Sequence, residues 1–367
     1  MFRSLLWILL VLSGRLSTAA AQPPVVATDD GASLLQLSSS AYAIIHADAT
    51  DEWPHGNTGV IVGPRSVFVL DSTYLPSRAR ADIALIRRVT DRPVRYLATT
   101  HWHMDHNNGA IAYREAFPDV SLVAERKTAR SLELNQTYWS RMSTAKDSQR
   151  RAALAGLEAE LARGTDQNGT PFSEAARAQR QSVIERRRNE LTELASLAVI
   201  EPDHLFDGEL LMNFEGIRLV LHDWGHANSP NDVTLYLPEQ RILFTGDILV
   251  QAPVPYVSAS FPVAWIEVLR GMESVPVDVV VPGHGPIFTD HVYTKRVRAL
   301  FEATLERTES MARQGLTLEQ IQERLSLDDI RAVEPAWSTG DEELDATWDA
   351  TRRLLIERVW RNMRGQY

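Results

Sequence analysis

Residues 101–106 read HWHMDH, a run that places three histidines and one aspartate within six positions. The run directly follows RYLATT at 95–100, whose β-branched and apolar residues predict a strand. His101 and His103 are two residues apart, so both side chains can point the same way on an extended loop. Asp105 and His106 lie where the chain is predicted to turn into a helix, over 107–117, and face a neighbouring direction. Two metal ions about 3.5–4 Å apart can use such a ligand set, which a single ion rarely does.

Three further candidate ligands follow predicted strands later in the chain. His226 lies in WGHANSPND after the strand 217–222, Asp247 in FTGDIL after 241–245, and His284 in VPGHGP after 278–281. Glycines flank all three, and glycine permits the backbone angles and close approaches that ligand loops need. Each residue alone would more often be structural, and HWHMDH alone could be a surface turn. Together they predict a metal site built from histidine and carboxylate.

The motifs HWHMDH, GH, TGD and PGHGP, in this order, closely resemble those of the metallo-β-lactamase superfamily. The strand pair GVIVGPRSVFVLDS at 59–72 resembles the hairpin that this superfamily places early in its first sheet. The resemblance covers roughly residues 33–124 and 201–290. It implies an α/β fold, a four-layer αβ/βα sandwich with the metal site at one edge between two sheets.

The resemblance also implies the role of each ligand and the metal. His101, His103 and His226 would hold one zinc ion, Asp105, His106 and His284 the second, and Asp247 would bridge the pair. Iron and manganese stay open as alternatives to zinc. A hydroxide bridging the ions would be the nucleophile, because zinc brings the pKa of bound water to about 7. Asp105, or a metal-bound water, would then supply a proton to the leaving group.

The departures from the family pattern bear on the substrate. True β-lactamases commonly carry cysteine or serine where this chain has Asp247, and residues 248–252 contain no lysine to bind a drug carboxylate. The Asp247 arrangement is more similar to glyoxalase II. The stretches ANSPND (227–232) and LYLPEQRILFTG (235–246), however, are similar to the β-lactamases. We therefore expect hydrolysis of an ester, thioester, amide or lactam, with β-lactamase-like activity left open.

Two other classes of function compete with hydrolysis. Some relatives with similar motifs bind iron and carry out redox chemistry, and an exported protein of this fold could also bind a metal or ligand without turnover. A complete set of seven dinuclear ligands, with no flavodoxin-like module recognised in the sequence, favours the hydrolase.

Three residues near the motifs are candidate substrate contacts. His55 lies in the loop before the strand 59–63, and a plain loop role is its alternative. Trp102 stands between two ligands, where it would either stack on substrate or pack beneath the loop. Asn231 would either donate to an oxyanion or fix the turn around Pro230.

The chain is predicted to have three parts. Residues 1–21 combine Arg3, an apolar run at 5–12 and the A-x-A pattern 19–21, which predicts a cleaved signal peptide and a periplasmic or secreted location. Residues 22–290 form the metallo-β-lactamase-like domain, interrupted at about 125–200 by a helical hairpin whose second helix is predicted to start at Thr170-Pro171. Residues 291–367 form a helical C-terminal extension. After signal cleavage, no segment is expected to span a membrane.

The amino-acid composition limits the possible partners of the protein and the residue types that could bind a metal. The formal net charge is −10, which argues against nucleic acid as a partner and leaves a small-molecule substrate. The chain has no cysteine, so disulfides and cysteine-ligated zinc are excluded. No organic cofactor is expected, and the oligomeric state does not follow from the sequence.

Overall fold

The computed structural model describes residues 23–29, 31–47, 55–197, 201–251, 255, 257–337 and 342–366, without the side chains of 134–149, 196 and 342–345. The predicted signal peptide, 1–21, lies outside the described residues. Two β-sheets and several helices make up the structure, which confirms a mixed α/β architecture with two sheets. The four-layer order of the prediction and the exact domain boundaries stay predictions.

The first sheet has eight strands that follow one another in chain order. Strands β1 to β5 pair antiparallel, whereas β5 to β8 pair parallel. The predicted hairpin is present as β4 paired with β5. The strands are β1 (Val25–Asp29), β2 (Ala32–Gln36), β3 (Ala41–His46), β4 (Thr58–Val62), β5 (Val67–Leu70), β6 (Val94–Ala98), β7 (Ser121–Glu125) and β8 (His204–Phe206).

The second sheet has five strands in the order β13-β12-β11-β10-β9. All neighbours pair antiparallel except β12 and β13, which pair parallel. The strands are β9 (Glu209–Phe214), β10 (Ile217–Asp223), β11 (Val233–Leu237), β12 (Ile242–Phe244) and β13 (Val279–Val281).

Three apolar clusters form the core. One combines side chains of both sheets, such as Phe68 of β5 and Phe244 of β12. A second joins the first sheet to the helices α1 (Pro76–Ile86) and α3 (Ala110–Ala116). The third packs the second sheet against α6 (Pro262–Met272) and the C-terminal helices. These helices are α7 (Val292–Arg313), α8 (Leu318–Arg324), α9 (Asp328–Arg331) and α10 (Glu342–Asn362).

The predicted helical hairpin corresponds to α4 (Arg126–Arg163) and α5 (Glu174–Ser196), which pack on each other. In the chain, these two helices lie between β7 and β8. The start predicted for the second helix is wrong, because Ser173 caps α5 by accepting a hydrogen bond from the Ala176 amide. The Asp166 side chain accepts from the amides of Asn168 and Thr170, and this turn keeps Pro171 outside the helix.

The helix predicted over 107–117 starts later than expected, because α3 spans Ala110–Ala116. A short helix, α2 (Met104–Asn107), precedes α3, and Gly109 lies between them. A Cβ atom at Gly109 would collide with the Ser72 carbonyl, so this glycine lets the two backbone segments approach closely.

The sheet topology explains why the predicted ligands meet. β5 and β6 are parallel neighbours, so the residues that follow them, including Asp71 and His101, lie at the same edge of the first sheet. β12 and β13 are parallel neighbours in the second sheet, so Asp247 and His284 follow them at one edge. The side chains that carry the chemistry thus come from the carboxyl ends of four strands.

Candidate metal centre

Six of the seven predicted ligands form two groups of potential metal donors that share one carboxylate. Asp105, His106, Asp247 and His284 are all buried, and each offers a ligand atom within 4.8 Å of the others. His101, His103 and Asp247 form the second such group. We call the group containing His101 and His103 the first half of the centre and the group containing His106 and His284 the second half. Asp247 belongs to both.

The two oxygens of Asp247 face different halves. Its Oδ1 lies 3.1 Å from His106 Nε2 and 3.5 Å from His284 Nε2. Its Oδ2 lies 3.5 Å from His101 Nε2 and 3.9 Å from His103 Nδ1. A carboxylate oriented in this way can donate one oxygen to each of two neighbouring cations.

Local backbone structure holds Asp247 in place. Asp247 lies in a 3-10 turn, Gly246–Ile248, directly after β12. The Gly283 amide donates to the carbonyls of Gly246 (2.8 Å) and Leu249 (2.9 Å), which joins this turn to the His284 loop. A Cβ atom at Gly283 would collide with Asp247 Oδ1, so glycine is required there.

The donor set fits metal ions better than it fits hydrogen bonding within the protein. His106 Nε2 and His284 Nε2 lie 3.2 Å apart, a contact that two neutral imidazole lone pairs would make repulsive. His101 Nε2 and Asp247 Oδ1 are buried and make no hydrogen bond in the described part of the chain. Buried polar atoms are nearly always satisfied, and one cation in each half would satisfy these four atoms. Histidine nitrogen with carboxylate oxygen is a set that suits zinc, iron and manganese.

The pKa shifts of the histidines differ between the two halves of the centre. Burial opposes ionisation of Asp247, but the surrounding imidazoles, His106 foremost, outweigh it and hold the pKa of Asp247 well below its usual value. Burial would lower the pKa of His106, but Asp247 and Asp71 outweigh it, and this pKa is raised well above normal. The pKa of His284 is also raised, because Asp247 and Asp105 outweigh its burial. His101 differs, since burial lowers its pKa to about 4.

Asp71 orients one histidine of each half, and the sequence analysis did not single it out. Its Oδ2 lies 2.8 Å from His106 Nδ1, so it accepts that proton and leaves the Nε2 lone pair facing the centre. Asp71 also accepts from the amide and the hydroxyl of Thr100, whose Oγ1 lies 3.0 Å from His101 Nδ1. Its signal in the sequence is an acidic residue ending the buried strand β5, beside the strand that leads into HWHMDH.

His226, the seventh predicted ligand, belongs to neither group. It lies in the loop between β10 and β11 and is exposed, with its ring stacked on that of Phe261 at 4.3 Å between centroids and an interplanar angle of 15°. Its role as a ligand of the first metal stays a prediction.

The three candidate substrate contacts are described, and their roles stay predictions. His55 is buried, and its pKa is lowered to about 3 by burial and by His46, so its ring is neutral. Trp102 is half-buried, and its ring packs edge-on against His103 at 4.6 Å. Asn231 is buried in its own turn, where its amide group lies 3.4 Å from Asp223 Oδ2.

Comparisons with known proteins identify the family and the fold of the chain. A family model described as the metallo-beta-lactamase superfamily matches residues 51–284. The linear primary-alkylsulfatase of Pseudomonas sp. (strain ATCC 19151) is 22% identical over 279 residues, which cover 73% of this chain and 49% of that protein. The chain therefore spans about half the length of this curated relative.

Two solved structures share the fold. The stereoselective inverting sec-alkylsulfatase Pisa1 from Pseudomonas sp. superposes with a TM-score of 0.58 at 16% identity, covering 89% of this chain and 50% of that one. A metallo-beta-lactamase from Pontibacter korlensis superposes with a TM-score of 0.50 at 17% identity, covering 74% of this chain and 99% of that one. In the described residues, no helix has both the length and the apolar character needed to cross a membrane.

Proposed function

The chain belongs to the metallo-beta-lactamase superfamily, and we propose that it is an exported dinuclear zinc hydrolase acting on an ester, thioester, amide or lactam. One observation carries the proposal: Asp247 points one oxygen at each of two groups of histidines. Two cations held close together need negative charge between them, and a buried ionised carboxylate supplies it. The export step rests on the predicted signal peptide alone.

In this proposal the seven ligands divide as the family resemblance implies. His101, His103 and His226 would hold the first ion, Asp105, His106 and His284 would hold the second, and Asp247 would be shared by both. When bound, the zinc pair supplies a nucleophile from water at neutral pH and polarises the bond that breaks.

The chain's own residues supply orientation and proton transfer. Asp71 keeps the protons of His106 and, through Thr100, of His101 on the nitrogens that face away from the centre. Asp105 is buried beside His284, and although burial opposes it, His106 and His284 hold its pKa below the usual value. Asp105 is thus ionised at neutral pH and can accept a proton at a carboxylate oxygen before passing it to the leaving group.

A sulfate ester is the second candidate substrate. The sec-alkylsulfatase structure covers 89% of this chain, whereas the β-lactamase structure covers 74%. The sulfatase structure therefore shares a larger part of this chain's fold.

The test is turnover by the zinc-loaded protein on a panel of substrates. The panel comprises a chromogenic cephalosporin, a lactone, a thioester, a phosphodiester and a primary alkyl sulfate. We expect turnover of at least one compound, lost in Asp247→Ala and kept in Asp278→Ala. Asp278 is a matched control, because it is an exposed carboxylate paired with Arg241 at the other end of β13 from His284.

The outcomes separate the competing functions. Iron as the only metal that supports activity would favour the redox enzyme over the hydrolase. Full zinc loading with no turnover of any compound would favour the non-catalytic binding protein.

A further inference from the structure

Asn57, which the sequence analysis did not single out, uses its polar groups to fasten the loop that carries His284. Asn57 is buried immediately before β4, with a relative exposure of 5%. Its backbone amide donates to the Gly283 carbonyl at 2.7 Å. Its side-chain Nδ2 donates to the carbonyls of Pro282 and Gly285, each at 2.9 Å.

These three acceptors surround one metal ligand. Among residues 282–285, only the carbonyl of His284 itself is bound elsewhere, where it accepts from the Gln251 amide at 3.1 Å. A single residue therefore fixes the backbone on both sides of His284.

The Asn57 amide can adopt only one orientation here. Two of its neighbours are carbonyl oxygens, which require N–H donors, and the third is the His46 amide, which donates to Oδ1 at 3.2 Å. A flipped amide would place its oxygen against two carbonyls and its nitrogen against an N–H. The interaction is consequently a specific clamp that links β3 to the His284 loop.

The residue before Asn57 contacts the remaining ligands of the second half. The Gly56 amide donates to the Asp105 carbonyl at 3.0 Å. A Cβ atom at Gly56 would collide with the His106 ring, so this segment passes directly against that imidazole. Gly56 thus contacts Asp105 and His106, and Asn57 binds the residues on both sides of His284. Among the described residues, no hydrogen bond from residue 56 or 57 to a ligand of the first half is observed.

We propose that Asn57 is a positioning residue that sets the metal affinity of the second half of the centre by holding the His284 loop. This inference rests on the proposed function, because it assumes that the second half binds zinc. The side-chain nitrogen and oxygen of Asn57 are both bound to backbone groups, so Asn57 would act through the geometry of His284. Changes in residues that orient metal ligands typically reduce metal affinity about 10- to 100-fold.

The experiment is a zinc titration of the metal-free full chain in competition with a chromogenic zinc chelator, with bound zinc counted by elemental analysis. Asn57→Ala removes both side-chain donors. Asn57→Ser keeps one short donor and provides a milder variant should the alanine variant fail to fold, which circular dichroism would reveal. Asn213→Ala is the matched control, because Asn213 closes the exposed turn after β9 by accepting from the Gly216 amide.

We expect Asn57→Ala to raise the dissociation constant of the second zinc about 10- to 100-fold and to leave that of the first unchanged, with Asn57→Ser intermediate. In a His284→Ala background, Asn57→Ala should add no further loss, because coupled residues are not additive. This inference would be overturned, with the proposed function left standing, by any of three results: unchanged zinc binding in Asn57→Ala, equal weakening of both zinc ions, or additive losses in the double variant. Wild-type protein that binds fewer than two zinc ions would overturn the proposed function, and this inference with it.

Discussion

The two halves of the metal centre differ in how completely they are assembled. In the second half, Nε2 of His106 lies 3.2 Å from Nε2 of His284. All four ligands of this half are buried, namely Asp105, His106, Asp247 and His284. In the first half, His101 and His103 gather around Asp247, but His226 stacks on Phe261 outside the group. Backbone hydrogen bonds flank both histidines: Asn57 binds the carbonyls around His284, and the carbonyls of Gly225 and Ala227, on either side of His226, accept from the Asp232 and Phe261 amides. The second half thus has all its predicted ligands in one group, whereas the first half depends on the orientation of the His226 side chain.

The largest effect is expected from His226→Ala, which tests whether this residue completes the first half. If it does, the variant should retain one zinc, and kcat/KM should fall on the order of a thousand-fold, since a catalytic metal contributes several kcal/mol. His222→Ala is the control, because His222 is exposed on the neighbouring β10 and pairs with Glu209. Two zinc ions bound to His226→Ala with unchanged affinity would remove His226 from the ligand set.

Asp71→Asn should weaken both halves by similar amounts, about 10- to 100-fold in zinc affinity. Asp71 adopts a left-handed backbone conformation, φ 63°, which asparagine also tolerates, so the variant changes charge rather than backbone. Zinc titration measures the effect. Weakening of only one half would show that the link through Thr100 to His101 does not orient that ligand.

Lowering the pH should release zinc from the second half first. The raised pKa values of His106 and His284 mean that these rings are protonated at a higher pH than His101, whose pKa is about 4. Zinc must displace those protons, so affinity rises with pH and falls on acidification. Zinc content measured along a titration from pH 8 to about 5 should therefore fall to one ion before it falls to none. Simultaneous release of both ions would contradict this difference between the halves.

The smallest effect is expected from Phe261→Leu, which removes the ring stacked on His226. Such aromatic pairs contribute about 0.5–1.5 kcal/mol, so freeing His226 should tighten the first zinc by about tenfold at most. Isothermal titration calorimetry can resolve this change. Weaker binding would mean that the stacked orientation is the one that binds metal.

The sequence predicted the parts of the centre that are encoded locally. The run HWHMDH and the glycine-flanked Asp247 and His284 are short patterns at strand ends, and the structure brings them together. The mixed α/β architecture, which the family resemblance implied, is confirmed. The residue pattern also predicted the helical hairpin, and the structure has the helices α4 and α5 in that region.

Residues whose roles depend on distant contacts could not be found in this way. Asn57 binds the Pro282 carbonyl across a separation of 225 residues, and a single asparagine before a strand gives no hint of that partner. In the sequence, Asp71 is only an acidic residue at the end of a predicted strand. The pairing of β5 with β6 in the structure brings it beside Thr100. The predicted start of α5 was wrong for a local reason. The Asp166 side chain accepts from the Thr170 amide, and this turn competes with the helix cap predicted at Thr170.

The most direct test of the account is a crystal structure of the zinc-loaded protein with anomalous diffraction collected at the zinc edge. The account predicts two anomalous peaks about 3.5–4 Å apart, one on each side of Asp247, with each carboxylate oxygen bound to a different ion. A single peak, or two peaks that Asp247 does not bridge, would contradict it.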